Sequence, residues 1–254
     1  MIALLGNLSR DLKPGLPPLA GGGPYHGARA LRRLGVPARI VTRCAVADRD
    51  ALLPSLVRLG TPVRYVDGAQ TATFEISYNG DVRRMLVDAL GDVWRPADLS
   101  VLPSTRWVHV APLSRHEFPT ETIAALARRC RVSFDGQGLV RAPEVGPLRL
   151  DDDYDRDLLR YVWVLKLAEE EAEVVGDPHA LGVREVIVTQ GSRGATVYTR
   201  GTRQHIRAHP LDVDPTGAGD AFATAYVVAR NAGFDAVGAA RRATAVVAAV
   251  LAER

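Results

Sequence analysis

Short apolar runs alternate with helix-length segments along most of the chain, and this alternation restricts the fold more than any other feature. Ile2-Ala3-Leu4-Leu5, Arg39-Ile40-Val41-Thr42, Trp107-Val108-His109-Val110, Arg131-Val132-Ser133-Phe134-Asp135 and Glu185-Val186-Ile187-Val188-Thr189 read as strands, with a further strand near 161–165. Helices are expected over 25–34, 52–59, 120–129 and 169–175, and two long Ala-rich helices over 218–232 and 234–252. Gly35 and Gly60 stand where the first two should stop. Strands that are apolar throughout are buried on both faces, which implies a mostly parallel sheet covered by helices on each side.

Two stretches break the alternation. The Pro/Gly-rich stretch over 12–24 can be neither a helix nor a central strand. Over 63–87, strand-like runs flank Asn79-Gly80-Asp81, a strong hairpin signal, and Ala195 to Ile206 reads as a second hairpin. The first hairpin belongs to a β-rich insertion that projects from the alternating scaffold. We therefore expect one domain over 1–254, with lid segments at about 10–20 and 61–92.

The 254 residues suit one large α/β domain, without internal repeats. Two cysteines, Cys44 and Cys130, cannot build a disulfide framework, and no Cys/His cluster has zinc spacing. The net charge of +3 comes from 32 basic and 29 acidic residues, the basic ones scattered and nearly all Arg, with only Lys13 and Lys166 as lysines. That pattern argues against a nucleic-acid partner. No apolar run approaches the ~18 residues of a membrane span, and Met1-Ile2-Ala3-Leu4-Leu5-Gly6 lacks the basic start of a signal peptide. A cytoplasmic protein with no membrane partner is expected.

The chemistry concentrates in Asp214-Pro215-Thr216-Gly217-Ala218-Gly219-Asp220-Ala221-Phe222. Small residues let the backbone approach a ligand, and the helix that follows offers unpaired N–H groups with a partial positive charge. Such a turn binds phosphate. A carboxylate at its mouth is misplaced if the only task is to hold an anion, but it suits a base that deprotonates an attacking hydroxyl. A helix cap and a plain glycine turn would be the bland alternative for a lone Gly-x-Gly. The segment is neither a Walker A loop nor a dinucleotide fingerprint.

This segment resembles the D-x-T-G-A-G-D-x-F signature of the ribokinase (PfkB) family of carbohydrate kinases, and the resemblance runs along nearly the whole chain. Gly6 to Asp11 resembles the family's opening G-x-x-x-x-D, and Gly21-Gly22 followed by Ala28 to Gly35 resembles its first signature. Val188-Thr189-Gln190-Gly191-Ser192-Arg193-Gly194 resembles its V-T-x-G-x-x-G turn, and Leu165 to Ala172 its K-x-N-x-x-E motif. The resemblance implies a three-layer ribokinase-like α/β fold with a mostly parallel central sheet and a small β lid that often forms a homodimer contact. It implies an ATP-dependent kinase acting on a small hydroxyl substrate, with Mg2+ and, as a further candidate, a monovalent cation. By the same resemblance Asp220 is the general base, and Gly217, Ala218 and Gly219 form the anion hole. Lys166, Thr189, Gly191, Gly194 and Thr216 fall to ATP; Ser9, Asp11, Gly21, Gly22 and His26 to the substrate; Glu171 to the metal, through water. Phe134-Asp135-Gly136-Gln137-Gly138-Leu139-Val140-Arg141 is similar to a D-x-Q-x-x-x-R stretch of the inositol-kinase-like branch, which tilts the substrate towards a cyclitol or sugar, with ribose, a ketohexose or a nucleoside equally consistent with the residues that carry the chemistry.

Three departures stand against the family pattern. Ala168 replaces the Asn of N-x-x-E, and His26 the Asn expected after the glycine pair. His26 can hydrogen-bond a substrate hydroxyl or simply sit at a helix terminus. The chain also ends sooner than relatives that wall the adenine pocket, so a more open nucleotide site is expected. These departures motivate a rival, a weakened relative that binds a sugar or nucleotide without efficient turnover. A vitamin-precursor kinase is disfavoured by the hairpin, and an oxidoreductase by the missing glycine fingerprint.

Overall fold

The computed structural model describes residues 1–79, 82–208 and 213–253. In chain order the elements are β1 Ile2–Asn7, β2 Ser9–Leu12, β3 Leu19–Gly21, α1 Gly23–Leu34, β4 Ala38–Ala45, α2 Arg49–Val57, β5 Val63–Gly68, β6 Ala72–Asn79 and β7 Val82–Ala89. Then follow β8 Trp107–Val110, α3 Thr120–Ala127, β9 Arg131–Asp135, α4 Gln137–Val140, β10 Gly146–Pro147, β11 Val164–Ala168 and α5 Glu169–Val175. The last are β12 Glu185–Thr189, β13 Ala195–Thr199, β14 Thr202–Ile206, α6 Ala218–Asn231 and α7 Ala236–Ala252.

The large sheet runs β14-β13-β12-β11-β9-β8-β1-β4-β5. Its seven strands from β12 to β5 are parallel, and the expected hairpin β13–β14 adds an antiparallel margin. β1 lies near the middle and shows why the strands are apolar throughout. Ile2 and Leu4 pack with residues of α1, α2, α6 and α7 on one face, while Ala3 and Leu5 pack with residues of α3 and α5 on the other. This is the expected three-layer ribokinase-like architecture. α1 ends at Gly35 in the left-handed region (φ 60), which only glycine adopts without cost.

A second sheet, β10-β7-β6-β2-β3, packs Ala72, Phe74, Ile76 and Val87 against Leu113. One correction follows. β5, grouped by sequence with the lid over 61–92, pairs in parallel with β4 and is the edge of the large sheet. The expected lid segment at about 10–20 enters the small sheet through β2, which pairs in parallel with β6 (Ser9 opposite Ala72), and β3, and the two-residue strand β10 joins at the other side. The expected turn at Asn79-Gly80-Asp81 falls partly outside the described residues. No helix among the described residues is long and apolar enough to cross a membrane.

Candidate active site

In an open parallel sheet, ligands bind beyond the carboxyl ends of the strands, and the candidate residues gather there. The turn before α6 is built by its own side chains. Asp214 Oδ1 accepts hydrogen bonds from Thr216 N (2.9 Å) and Thr216 Oγ1 (2.6 Å). Gly217, with φ 77, precedes the first residue of α6. The N–H of Ala218 donates to Pro215 O at 2.9 Å, closing the turn on itself. Of the expected anion-hole set, the N–H of Ala218 is thus engaged, while those of Gly217 and Gly219, and that of Asp220 beyond them, have no backbone acceptor among the described residues and are available to an anion.

Asp220 Oδ1 is buried and has no hydrogen-bond partner among the described residues. It faces the start of α1, where a Cβ added to Gly23 would lie 2.9 Å from it. Burial pushes the Asp220 carboxyl up to about 7; the charge of Asp135 pushes the same way, against Lys166 and Arg141. A carboxylate with a pKa near neutrality is well matched to general-base work.

Below the turn lies a buried charge cluster. Lys166 Nζ is 3.3 Å from Asp135 Oδ1 and 3.9 Å from Glu171 Oε2. Burial alone would lower the Lys166 pKa, but Asp135, Glu171 and Asp220 together raise it. Burial likewise pushes Glu171 up, against the pull of Lys166. A Cβ on Gly219 would come within 3.1 Å of Nζ, so the lysine sits directly under the anion-binding turn. Sequence assigned Lys166 to ATP together with Thr189, Gly191 and Gly194; it lies under the turn rather than in the cavity those three line. Ala168, where the family has Asn, donates its backbone N–H to Glu171 Oε2 at 2.7 Å. The carboxylate is therefore held without the missing side chain.

A cavity of about 80 Å³ brings the acceptor residues together. Ser9, Asp11, Gly22, His26, Gly217 and Asp220 all line it, and Phe74, Ile76 and Met85 close it from the small sheet. Asp11 is buried and accepts from Ser9 Oγ at 2.7 Å. Of the glycine pair expected to meet the substrate, Gly22 lines this cavity and Gly21 does not, and both also answer local packing demands. A Cβ on Gly21 would lie 2.3 Å from Asp11 Oδ2, and Gly22, at φ 89, abuts Asn7 O. Gly21 thus makes room for the Asp11 carboxylate, and Gly22 makes the turn into α1.

Gln137 and Arg141 also line the acceptor cavity. Sequence reading quoted both only as part of a substrate signature. Arg141 in addition lines a larger cleft, about 1000 Å³, that reaches Lys13, Glu170 and Glu171. Its guanidinium forms no ion pair among the described residues.

A third cavity, about 340 Å³, opens on the other side of the turn. Thr189, Gly191 and Gly194 line it together with Ala218, Gly219 and Phe222. α7 forms one wall of it with Thr244, Val247, Ala248 and Leu251. Gly194 has φ 105, and a Cβ there would meet Ile206 O at 2.0 Å, so the turn tucks under β14.

Asp135 and Glu171 supply the hard oxygen donors that Mg2+ prefers, but Lys166 already neutralises part of their charge. No group of three or more metal-ligating side chains occurs among the described residues. The pair fits an ion held mostly by water and donor phosphates, the usual manner for Mg2+.

Comparisons with known proteins bear on the family and the fold. Residues 19–254 match the family described as pfkB family carbohydrate kinase. Inositol 3-kinase of Zea mays is 36% identical over 152 residues, which cover 57% of this chain and 39% of that protein. Fructokinase of Klebsiella pneumoniae is 30% identical over 252 residues, 87% of this chain and 81% of that protein. A pyrophosphate-dependent kinase in the ribokinase family, solved with a pyrophosphate analog and myo-inositol, superposes with a TM-score of 0.88 at 26% identity, covering 99% of this chain and 95% of that one. The chain thus spans under two fifths of the maize inositol 3-kinase but nearly all of the solved structure. With the match extending over most of its length, the chain belongs to the pfkB family of carbohydrate kinases.

Proposed function

We propose that this chain transfers a phosphoryl group to a hydroxyl of a cyclitol or similar small polyol, with Asp220 as the base. The carrying observation is that the unpartnered Asp220 Oδ1 stands at the N-terminus of α6, in a cavity shared with Asp11. A hydroxyl held by Asp11 and Ser9 would be deprotonated by Asp220 as the phosphoryl group arrives in line. The N–H groups of Gly219 and Asp220, with Lys166 below and Arg141 beside them, would stabilise the charge on the transferring group, where most phosphoryl-transfer catalysis arises. Mg2+, when bound near Asp135 and Glu171, would neutralise donor phosphates. Closure of the small sheet over Phe74 and Met85 would exclude water.

A cyclitol is favoured because Gln137 and Arg141 enter the acceptor cavity and because two plant relatives are inositol 3-kinases. ATP is favoured as donor by the cavity beside the turn, whose Phe222, Val247 and Leu251 suit a nucleobase. Pyrophosphate is the second reading, since a close structural neighbour uses it. A homodimer through the small sheet belongs to the same proposal; sedimentation at a single-protomer mass would count against it.

The test pairs ATP or pyrophosphate with myo-inositol, ribose and fructose, and follows product by phosphorus NMR. We expect a phosphate monoester of myo-inositol from ATP. Product from pyrophosphate alone would select the second donor. Binding without turnover in every pairing would favour the weakened relative.

A further inference from the structure

Six of the arginines that look scattered in sequence meet in space. At the end of the large sheet opposite the active site, a cavity of about 710 Å³ is lined by Arg106, Arg128, Arg129, Arg131, Arg160 and Arg184, and by no aspartate or glutamate. The topology collects them. Arg106 precedes β8, Arg131 opens β9, Arg184 precedes β12, and Arg128 and Arg129 follow α3. Only Arg160 is paired, with Asp157 at 3.3 Å, both largely exposed; the other five form no ion pair among the described residues.

Several of these side chains are held in place. Arg131 and Arg184 both stack on the Trp163 ring, their guanidinium carbons 4.3 and 4.0 Å from its centroid. Arg129 donates from Nη1 to Leu99 O (2.7 Å) and from Nη2 to Leu102 O (2.9 Å). Positioned guanidinium forks crowded into one concavity repel one another until an anion joins them, and their geometry matches phosphate oxygens. Arg131 and Asp135 are the two ends of β9, about 13 Å apart at ~3.3 Å per residue. The cavity is therefore separate from the donor and acceptor sites.

We propose that this arginine-lined cavity binds a small polyanion carrying several phosphate groups. A single phosphate would engage only part of the lining. A nucleic acid would call for an extended basic stripe rather than a bounded cavity.

Tripolyphosphate is titrated into the full chain at constant ionic strength, reading tryptophan fluorescence, in which Trp163, lining the cavity, and Trp107, packed against both Trp163 and Arg131, report on the site together. We expect a saturable change, weakened about tenfold or more in Arg131→Gln/Arg184→Gln. Because that pair packs on Trp163, Arg106→Gln/Arg128→Gln, both at exposed positions, serves as the second variant and should also weaken binding. Wild-type affinity in both arginine variants, an equal response to sulfate at matched ionic strength, or binding of a single-stranded oligonucleotide but not tripolyphosphate would each overturn the proposal.

Discussion

The parallel strands of the large sheet begin among arginines and end among carboxylates, and the two edges handle charge in different ways. At the carboxyl edge Asp135, Glu171 and Asp220 surround one ammonium, Lys166, all in contact with little water. At the amino edge several cations, with Arg106, Arg128 and Arg129 among them exposed, share a cavity with almost no counter-charge. Buried opposite charges depend on one another, because each would be costly alone. Exposed like charges merely repel, weakly and in a salt-dependent way. Removing a cation should therefore have opposite signs at the two edges.

The sharpest contrast comes from Lys166→Met. It strands two buried carboxylates, and breaking such a pair costs about 3–5 kcal/mol; urea unfolding should show a correspondingly lower midpoint. An unchanged midpoint would mean that the carboxylates are protonated or hydrated and the contrast is false. Next in size is Asp11→Asn at the acceptor end. Loss of a charge-assisted hydrogen bond to substrate, about 1.5–3 kcal/mol, should raise KM for the acceptor roughly 10- to 100-fold while kcat changes less.

The pH dependence of stability gives a smaller effect of defined sign. Burial holds the folded Asp220 carboxyl near about 7, against an ordinary value of 3.8. Between these values the folded protein keeps a proton that the unfolded chain has released. This group's contribution to stability is thus full below pH ~4 and lost as pH rises through about 7. Asp220→Asn cannot ionise, so its melting temperature should gain on the wild type from pH 4 to pH 8. A constant difference would show that Asp220 is solvated. Smallest is the amino edge: Arg106→Gln/Arg128→Gln should stabilise by at most about 0.5 kcal/mol, at low salt only, with transfer rates unchanged. A loss of stability there would remove the distinction between the edges.

What the sequence made legible follows from how local each feature is. β9, β12 and α5 fall at the expected bounds because apolar runs and an acidic helix start mark them. β11 lies at Val164–Ala168, three residues beyond the expected strand, because the apolar stretch around it has no punctuation. β2, β3 and β10 are short; β2 pairs with β3 nearby but also with β6, and β10 with β7, far along the chain. The site divides in the same way. The glycine turn and Asp220 are contiguous and could be read directly. The Lys166–Asp135 pair exists because β11 lies beside β9 with those two residues in register, and no local pattern reports that. An acid closing one parallel strand and a lysine within another were the available signal. The arginine cavity escaped for the same reason, since scattered positions become one surface only after the sheet is ordered.

The most direct measurement is single-turnover phosphoryl transfer by Asp220→Asn beside the wild type, with acceptor binding followed separately by calorimetry. The account predicts a rate lower by about 10²–10⁴-fold with acceptor affinity retained. Wild-type turnover in that variant would contradict it.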